Sequence, residues 1–233
     1  MAVLAQLLTS TRRAGDRARR AQGAALLAGA GVVAAAGVAV AFPGVVRPIC
    51  ACAATALLVF ALVKLLEADG CQRQAKAEAR LLGALVAQLP QRWYVLGDLE
   101  IEPSWLEPVQ IWAVVVGPGG VAVVHPCAEE GDLTPFGHIW MVERRGRVRT
   151  IPSPAAQACT EVEALREVLG TEQIPIVPVV VLTDVQSLFH QAETGADVVG
   201  IPHAAAGLRY KLDGDQQIWD PLQLAAFLTH YHR

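Results

Sequence analysis

Twenty consecutive residues from Gly23 to Phe42, GAALLAGAGVVAAAGVAVAF, carry no charge. That length and composition match the roughly 20 apolar residues a helix needs to cross a bilayer. A second apolar run follows after PGVVRP, from Ile49 to Val63, and ends at KLLEADG. It reaches spanning length once Val45 or Lys64 to Leu66 is included, with the Lys64 stem buried and its ammonium reaching toward water. A secretory signal also pairs a basic start with an apolar run. Here the first run exceeds a typical signal core, and a second run follows almost at once. The pattern predicts a basic N-terminal segment and a two-helix transmembrane hairpin over residues 1–71, ahead of a separate domain over 72–233.

The flanks set the orientation. Arg12, Arg13, Arg17, Arg19 and Arg20 precede the first run, and Lys64, Arg73, Lys76 and Arg80 lie at or beyond the end of the second. The connection has only Arg47. Positive residues are retained on the cytoplasmic side, so an integral membrane protein with both termini cytoplasmic is expected, with membrane lipids as its first partners. The segment LAQLLTSTRRAGDRARR either sets this topology alone or lies as a basic helix on anionic lipid. Ala25 and Gly29, and Gly31 and Ala35, are small residues four apart, a spacing that lets two helices approach closely.

Charge divides along the same boundary. Residues 1–71 hold 7 basic and 3 acidic side chains, and residues 72–233 hold 12 basic and 19 acidic. A domain with a net charge of −7 is poorly suited to nonspecific nucleic-acid binding, which depends on neutralising phosphates. The five cysteines, Cys50, Cys52, Cys71, Cys127 and Cys159, are odd in number and two lie in a predicted span. A disulfide framework is therefore not expected. Cys71, just past the second run, is either a tolerated thiol or an acylation site.

The second run continues into CQRQAKAEARLLGALVAQL, where Leu81, Leu82, Leu85, Val86 and Leu89 share one helical face, and Pro90 ends it. RWYVLGDLEI, VQIWAVVV and VAVVHP read as strands, and HIWMVERRGRVRTI as a hairpin with Gly146 at its tip. Ser153-Pro154 opens a helix that Gly170 closes. IPIVPVVVLTD is an uninterrupted apolar run, as expected of a central strand covered on both faces. ADVVGIP reads as a further strand, and Asp220-Pro221 caps a last helix, PLQLAAFLTHYH. The fold class is α/β, with a mixed sheet in a domain of common size.

Gly117-Pro118-Gly119-Gly120 joins two of these strands. Pro118 holds φ near −65°, which excludes the primed two-residue turns and favours a wider loop. In either geometry Val116 faces Val121, paired numbers sum to 237, and Trp112 falls opposite His125. Cys127 points to the same face as His125, since strand side chains alternate.

The order AEARLLGALVAQLP, YVLGDL, IWAVVVGPGGVAVV, the tryptophan of the next hairpin, PSPAAQA before a helix, and IPIVPVVVLTD resembles the nuclease-related domain (NERD) family from about Ala77 to the last helix. The Gly-Pro-Gly-Gly hairpin and the Pro154-to-Gln157 helix opening are the sharpest marks. The resemblance implies a restriction-endonuclease-like fold, and two membrane helices ahead of the domain also occur in that family. It further implies an Asp on the first hairpin strand and a Glu-x-Lys on the second. Opposed carboxylates there bring hard oxygen ligands to one Mg²⁺, and the lysine assists the attacking water. Carried over by position, the Asp falls on Trp112, the Glu on His125 and the Lys on Cys127. None is retained. Glu78 on the leading helix and Gln157 match as remnants.

No catalytic residue, metal or cofactor is therefore expected. The emptied cleft is filled by His125 and Cys127, with Trp112 stacking across it. A displaced carboxylate site, and with it Mg²⁺, would draw on Glu129, Glu130 and Asp132 in AEEGDL, otherwise a solvated loop. Zinc held by His125, Cys127, His138 and Cys159 fits no compact ligand spacing. Arg144, Arg145, Arg147 and Arg149 are a solvated hairpin end or a weak contact for phosphate or lipid. The resulting expectation is a membrane-anchored, non-cleaving binding or scaffolding module with a protein partner. The alternatives are a metal-dependent nuclease with a displaced site and a structural subunit of a membrane complex.

Overall fold

A computed structural model of the chain describes residues 19–36, 38, 46–104, 107–188, 195–213 and 220–229. The chain divides into two compact units, one over Thr11–Lys76 and one containing Ala77–Arg233. The basic segment before Arg19 and the connection between the two apolar runs lie outside the described residues.

In the first unit, helix α1 (19–36) packs against α2 (Val46–Gln88). Ala25 and Ala28 are buried against Ala61, with Leu57 beside them. A Cβ on Gly31 would lie 3.0 Å from Leu57 Cδ1, whereas nothing stands within 4 Å of one on Gly29. The close face is thus 25, 28 and 31, not the 25/29 pair. The segment Pro48–Gln88 of α2 is long and apolar enough to cross a membrane, with a mean hydropathy of 2.5 over its most apolar window. Among the described residues it alone meets that test.

The last turns of α2, from Ala77, belong to the second unit. Among the described residues seven strands form one mixed sheet: β1 (Tyr94–Ile101), β2 (Val109–Gly117), β3 (Gly120–Phe136), β4 (Ile139–Arg144), β5 (Arg147–Pro152), β6 (Ile176–Leu188) and β7 (Asp197–Gly200). β1 to β5 are antiparallel neighbours in sequence order. β6 pairs parallel with β3, and β7 parallel with β6. The 17-residue β3 is the axis: its first part lies between β2 and β6, and its last part between β4 and β6.

Helices α3 (Pro154–Leu169), α4 (Ile201–Leu212) and α5 (Pro221–Leu228) complete the unit. Val121 and Val123 pack with Leu165 of α3 and Leu228 of α5. Ala122 and Val124 pack with Leu81 and Leu85 of α2 and Leu208 and Leu212 of α4. Coverage on both faces explains the uninterrupted apolar runs of β3 and β6.

Two elements differ from expectation. AEEGDL continues β3, since Glu130 and Asp132 pair with β6 and β4 across register shifts. The residues after ADVVG open a helix: Pro202 sits in its first turn, where its missing N–H costs nothing. The β2–β3 turn is also tighter than expected, with Gly117 paired to Gly120. It is held from outside, Gly119 N donating to Leu212 O at 2.7 Å.

Candidate functional site

The β2–β3 register sums to 237 from Gly117–Gly120 through Ala113–Val124. Trp112 and His125 come next, and there the two strands part. Between the pairs Gly97–Ala113 and Leu99–Ile111, Asp98 and Trp112 are not matched. Asp98 has φ 58°, uncommon for a residue other than glycine. Leu96 and Leu99 face one core, as do Val114 and Ile111, so both strands slip phase at this point. Trp112 consequently packs against the cluster on the α2/α4 face that contains Leu81 and Leu85. It does not stack across His125 and Cys127, because the Asp98 distortion overrides simple alternation.

His125 lies on the α3 face, where its Nδ1 is 2.8 Å from Glu161 Oε1. Glu161 is 7% exposed, and its Oε2 is buried without a hydrogen-bond partner among the described residues. His125 Nε2 has no partner among the described residues and remains open to solvent. Cys127 lies two residues on, among Trp140, Ala155, Ala158 and Val180. Burial pushes its thiol up to about 12, which the nearby Arg149 offsets only in part. A thiol held protonated in this way is not a nucleophile at neutral pH.

Ser153 positions α3 by accepting from Ala156 N at 3.2 Å, and Gly170 closes the helix at φ 60°. Pro154, Ala158, Glu161, Val162 and Leu165 form the buried stripe of α3. Glu161 is the site residue the sequence reading missed. Its signal was present: it is a carboxylate at a core position of an amphipathic helix. Gln157, the other matched residue of α3, is exposed, and Glu78 of α2 is buried at 4% exposure.

The donor set does not fit Mg²⁺. That ion takes six hard oxygen ligands at near-ideal geometry, whereas the positions in question hold an imidazole and a buried thiol, and the imidazole engages the Glu161 carboxylate. Among the described residues no three His, Cys, Asp or Glu side chains converge as a metal site. That includes His125, Cys127, His138 and Cys159, and Cys159 Sγ instead contacts Gly195 O at 3.7 Å.

The remaining candidates gather around the β4–β5 hairpin. Glu130, Asp132, Glu143 and Asp184 line an open cleft of about 500 Å³ together with Arg144 and Arg145. Glu130 is paired with Arg144, Glu129 with Arg149, and Asp184 with Arg80 at 3.1 Å. Two of the four hairpin arginines are thus already neutralised.

The family model for the nuclease-related domain matches residues 73–183. That interval runs from α2 into β6 and includes both the His125–Glu161 pair and the hairpin. No curated protein and no solved structure matches the chain.

Proposed function

Residues 73–183 being a nuclease-related domain, we propose that the chain holds this domain at a membrane as a binding or scaffolding module that does not cleave nucleic acid. On this reading the sheet is a restriction-endonuclease-like core, and α1 and α2 are a transmembrane hairpin with cytoplasmic ends. The observation that carries the proposal is the His125–Glu161 hydrogen bond. It stands where the resemblance puts a metal-binding glutamate, and it ties up the Glu161 carboxylate. Trp112 packs on the other face, and Cys127 is buried among apolar side chains. The anchor is supported by the length and hydropathy of α2 and by the Ala25–Ala28–Ala61 contact.

A cleavage assay on the full chain with Mg²⁺ and Mn²⁺, using single- and double-stranded DNA and RNA, tests the central claim. No cleavage above a buffer blank is expected. Metal-dependent cleavage that Glu78→Ala abolishes would overturn it. Resistance to alkaline carbonate extraction tests the anchor, and release into the supernatant would count against it.

One observation favours a second reading, a nuclease with a displaced site. Glu130 faces Asp184 across β3–β6, and Asp132 faces Glu143 across β3–β4, around one cleft. In that case cleavage would survive Glu161→Gln and be lost in Asp132→Asn. A third reading, a structural subunit of a membrane complex, predicts stoichiometric partners after extraction in mild detergent.

A further inference from the structure

Among the described residues the sheet ends at β5, which pairs on one side only, with β4. Arg145 and Gly146 make the hairpin turn with φ 52° and 73°. Positive φ at both central residues is the two-residue type I′ geometry. The ladder then runs without a register shift from Arg144–Arg147 to Ile139–Pro152. One step beyond, Ser153 N donates to His138 O at 3.1 Å. Antiparallel ladders alternate mutually bonded and unbonded pairs. Arg147, Arg149 and Ile151 therefore spend their backbone groups on β4, and Val148 and Thr150 turn N–H and C=O outward. No bulge interrupts this edge, and no proline precedes Pro152. Such an edge is a template for another strand unless something blunts it.

The side chains specify what that strand should carry. Trp140 and Val142 are buried, so Arg147, Arg149 and Ile151, opposite Arg144, Val142 and Trp140, share their face. Val148 and Thr150 take the other face, and Val148 is 62% exposed. A strand laid beside β5 alternates in the same way. Its residues near Arg147 are best acidic, and those near Val148 and Thr150 best β-branched. Arg145 and Arg147 have no ionic partner among the described residues.

We propose that β5 binds an extended segment of a partner protein, alternating acidic and β-branched residues, as an added strand. A second copy of β5 would bring two more arginines and no acid. A bilayer or nucleic acid has no row of amides to pair with the outward N–H and C=O groups of Val148 and Thr150. The inference names a partner class for the binding module proposed above, but involves no cleavage chemistry. A positive nuclease assay would remove that reading and leave this one standing.

The test uses the full chain in nanodiscs and a short fluorescent peptide alternating glutamate and valine, read by anisotropy. Saturable binding is expected, about tenfold or more tighter than for the lysine-valine counterpart. Thr150→Pro deletes an outward N–H that β4 does not use, a change edge strands tolerate. It should weaken binding by about tenfold or more with an unchanged circular dichroism spectrum, whereas Thr150→Val should bind as the parent does. Methylating alternate amides of the peptide should reproduce the loss on the unaltered protein. Four results would overturn the proposal: no saturable binding, equal binding of the lysine peptide, binding indifferent to both amide blocks, or peptide displaced by self-association of the chain or by phosphatidylserine vesicles.

Discussion

His125 Nδ1 and Glu161 Oε1, 2.8 Å apart, join the central strand β3 to helix α3 at the edge of the core. Glu161 is nearly enclosed, and its second oxygen has no partner among the described residues. Removing one member of such a pair leaves the other desolvated and unsatisfied, which costs more than the bond itself contributes. His125→Ala should therefore destabilise the domain by about 2–3 kcal/mol, the range for charge-assisted bonds lost from buried sites. The double variant His125→Phe with Glu161→Leu should recover most of that loss by filling the same space with apolar groups. Urea unfolding of the single and double variants measures both. A double variant less stable than His125→Ala would show that the pair itself holds α3 in place.

The buried Cys127 thiol gives a pH dependence of known sign. Its pKa rises from 9.0 in the unfolded chain to about 12 in the folded domain, chiefly through burial. Between those values the native state holds a proton that the unfolded state has released. The contribution is fully present below pH 9.0 and declines as pH rises toward 12. Cys127→Ala should flatten this segment of a stability profile measured by thermal unfolding. At about pH 8 the parent thiol should react with iodoacetamide only after denaturation, in contrast to Cys159, which is only partly buried.

Asp98 controls where Trp112 goes. It adopts φ 58° between two regular ladder pairs, and its Oδ1 accepts from Gln110 Nε2 at 2.7 Å. Asn enters the left-handed region nearly as readily as Asp and can keep that hydrogen bond, whereas β-branched residues are strained there. Asp98→Asn should cost less than about 1 kcal/mol, and Asp98→Val about 2–3 kcal/mol. If the valine variant instead straightened the strand, Trp112 would rotate toward His125 and its fluorescence would shift, which spectra of the folded variants would reveal.

The same region marks where the sequence stopped being legible. The β2–β3 register followed from one turn, because successive pairs must conserve a sum, and it holds through Ala113–Val124. The covered strand β6 and the Ser153 and Asp220 caps were readable because each depends on local chemistry. The face of Trp112 was not, since it depends on a left-handed residue on a neighbouring strand. The extension of β3 through AEEGDL was hidden for a related reason. Its residues are polar, and they become strand only because β4 and β6 flank them. Glu161 was overlooked because its partner, His125, is 36 residues away.

Gly131 is the residue on which that extension turns. It sits at φ 124°, beside a register shift between β3 and β6, and a Cβ there would fall on the carbonyl oxygen of Glu143. Backbone approaches backbone here, so no side chain can rotate away. Gly131→Ala adds left-handed strain of about 1–3 kcal/mol to this clash. Relief requires β4 to move off β3, which would widen the cleft between Asp132 and Glu143 and disturb the burial of Trp140. The expected outcome is a loss of about 3 kcal/mol or more in urea unfolding. Faster amide exchange should appear in β4 and β5, while β1, β2 and α5 stay protected. Uniform exchange across the whole sheet would show instead that the β4–β5 hairpin is no separable unit and that the sheet opens as one.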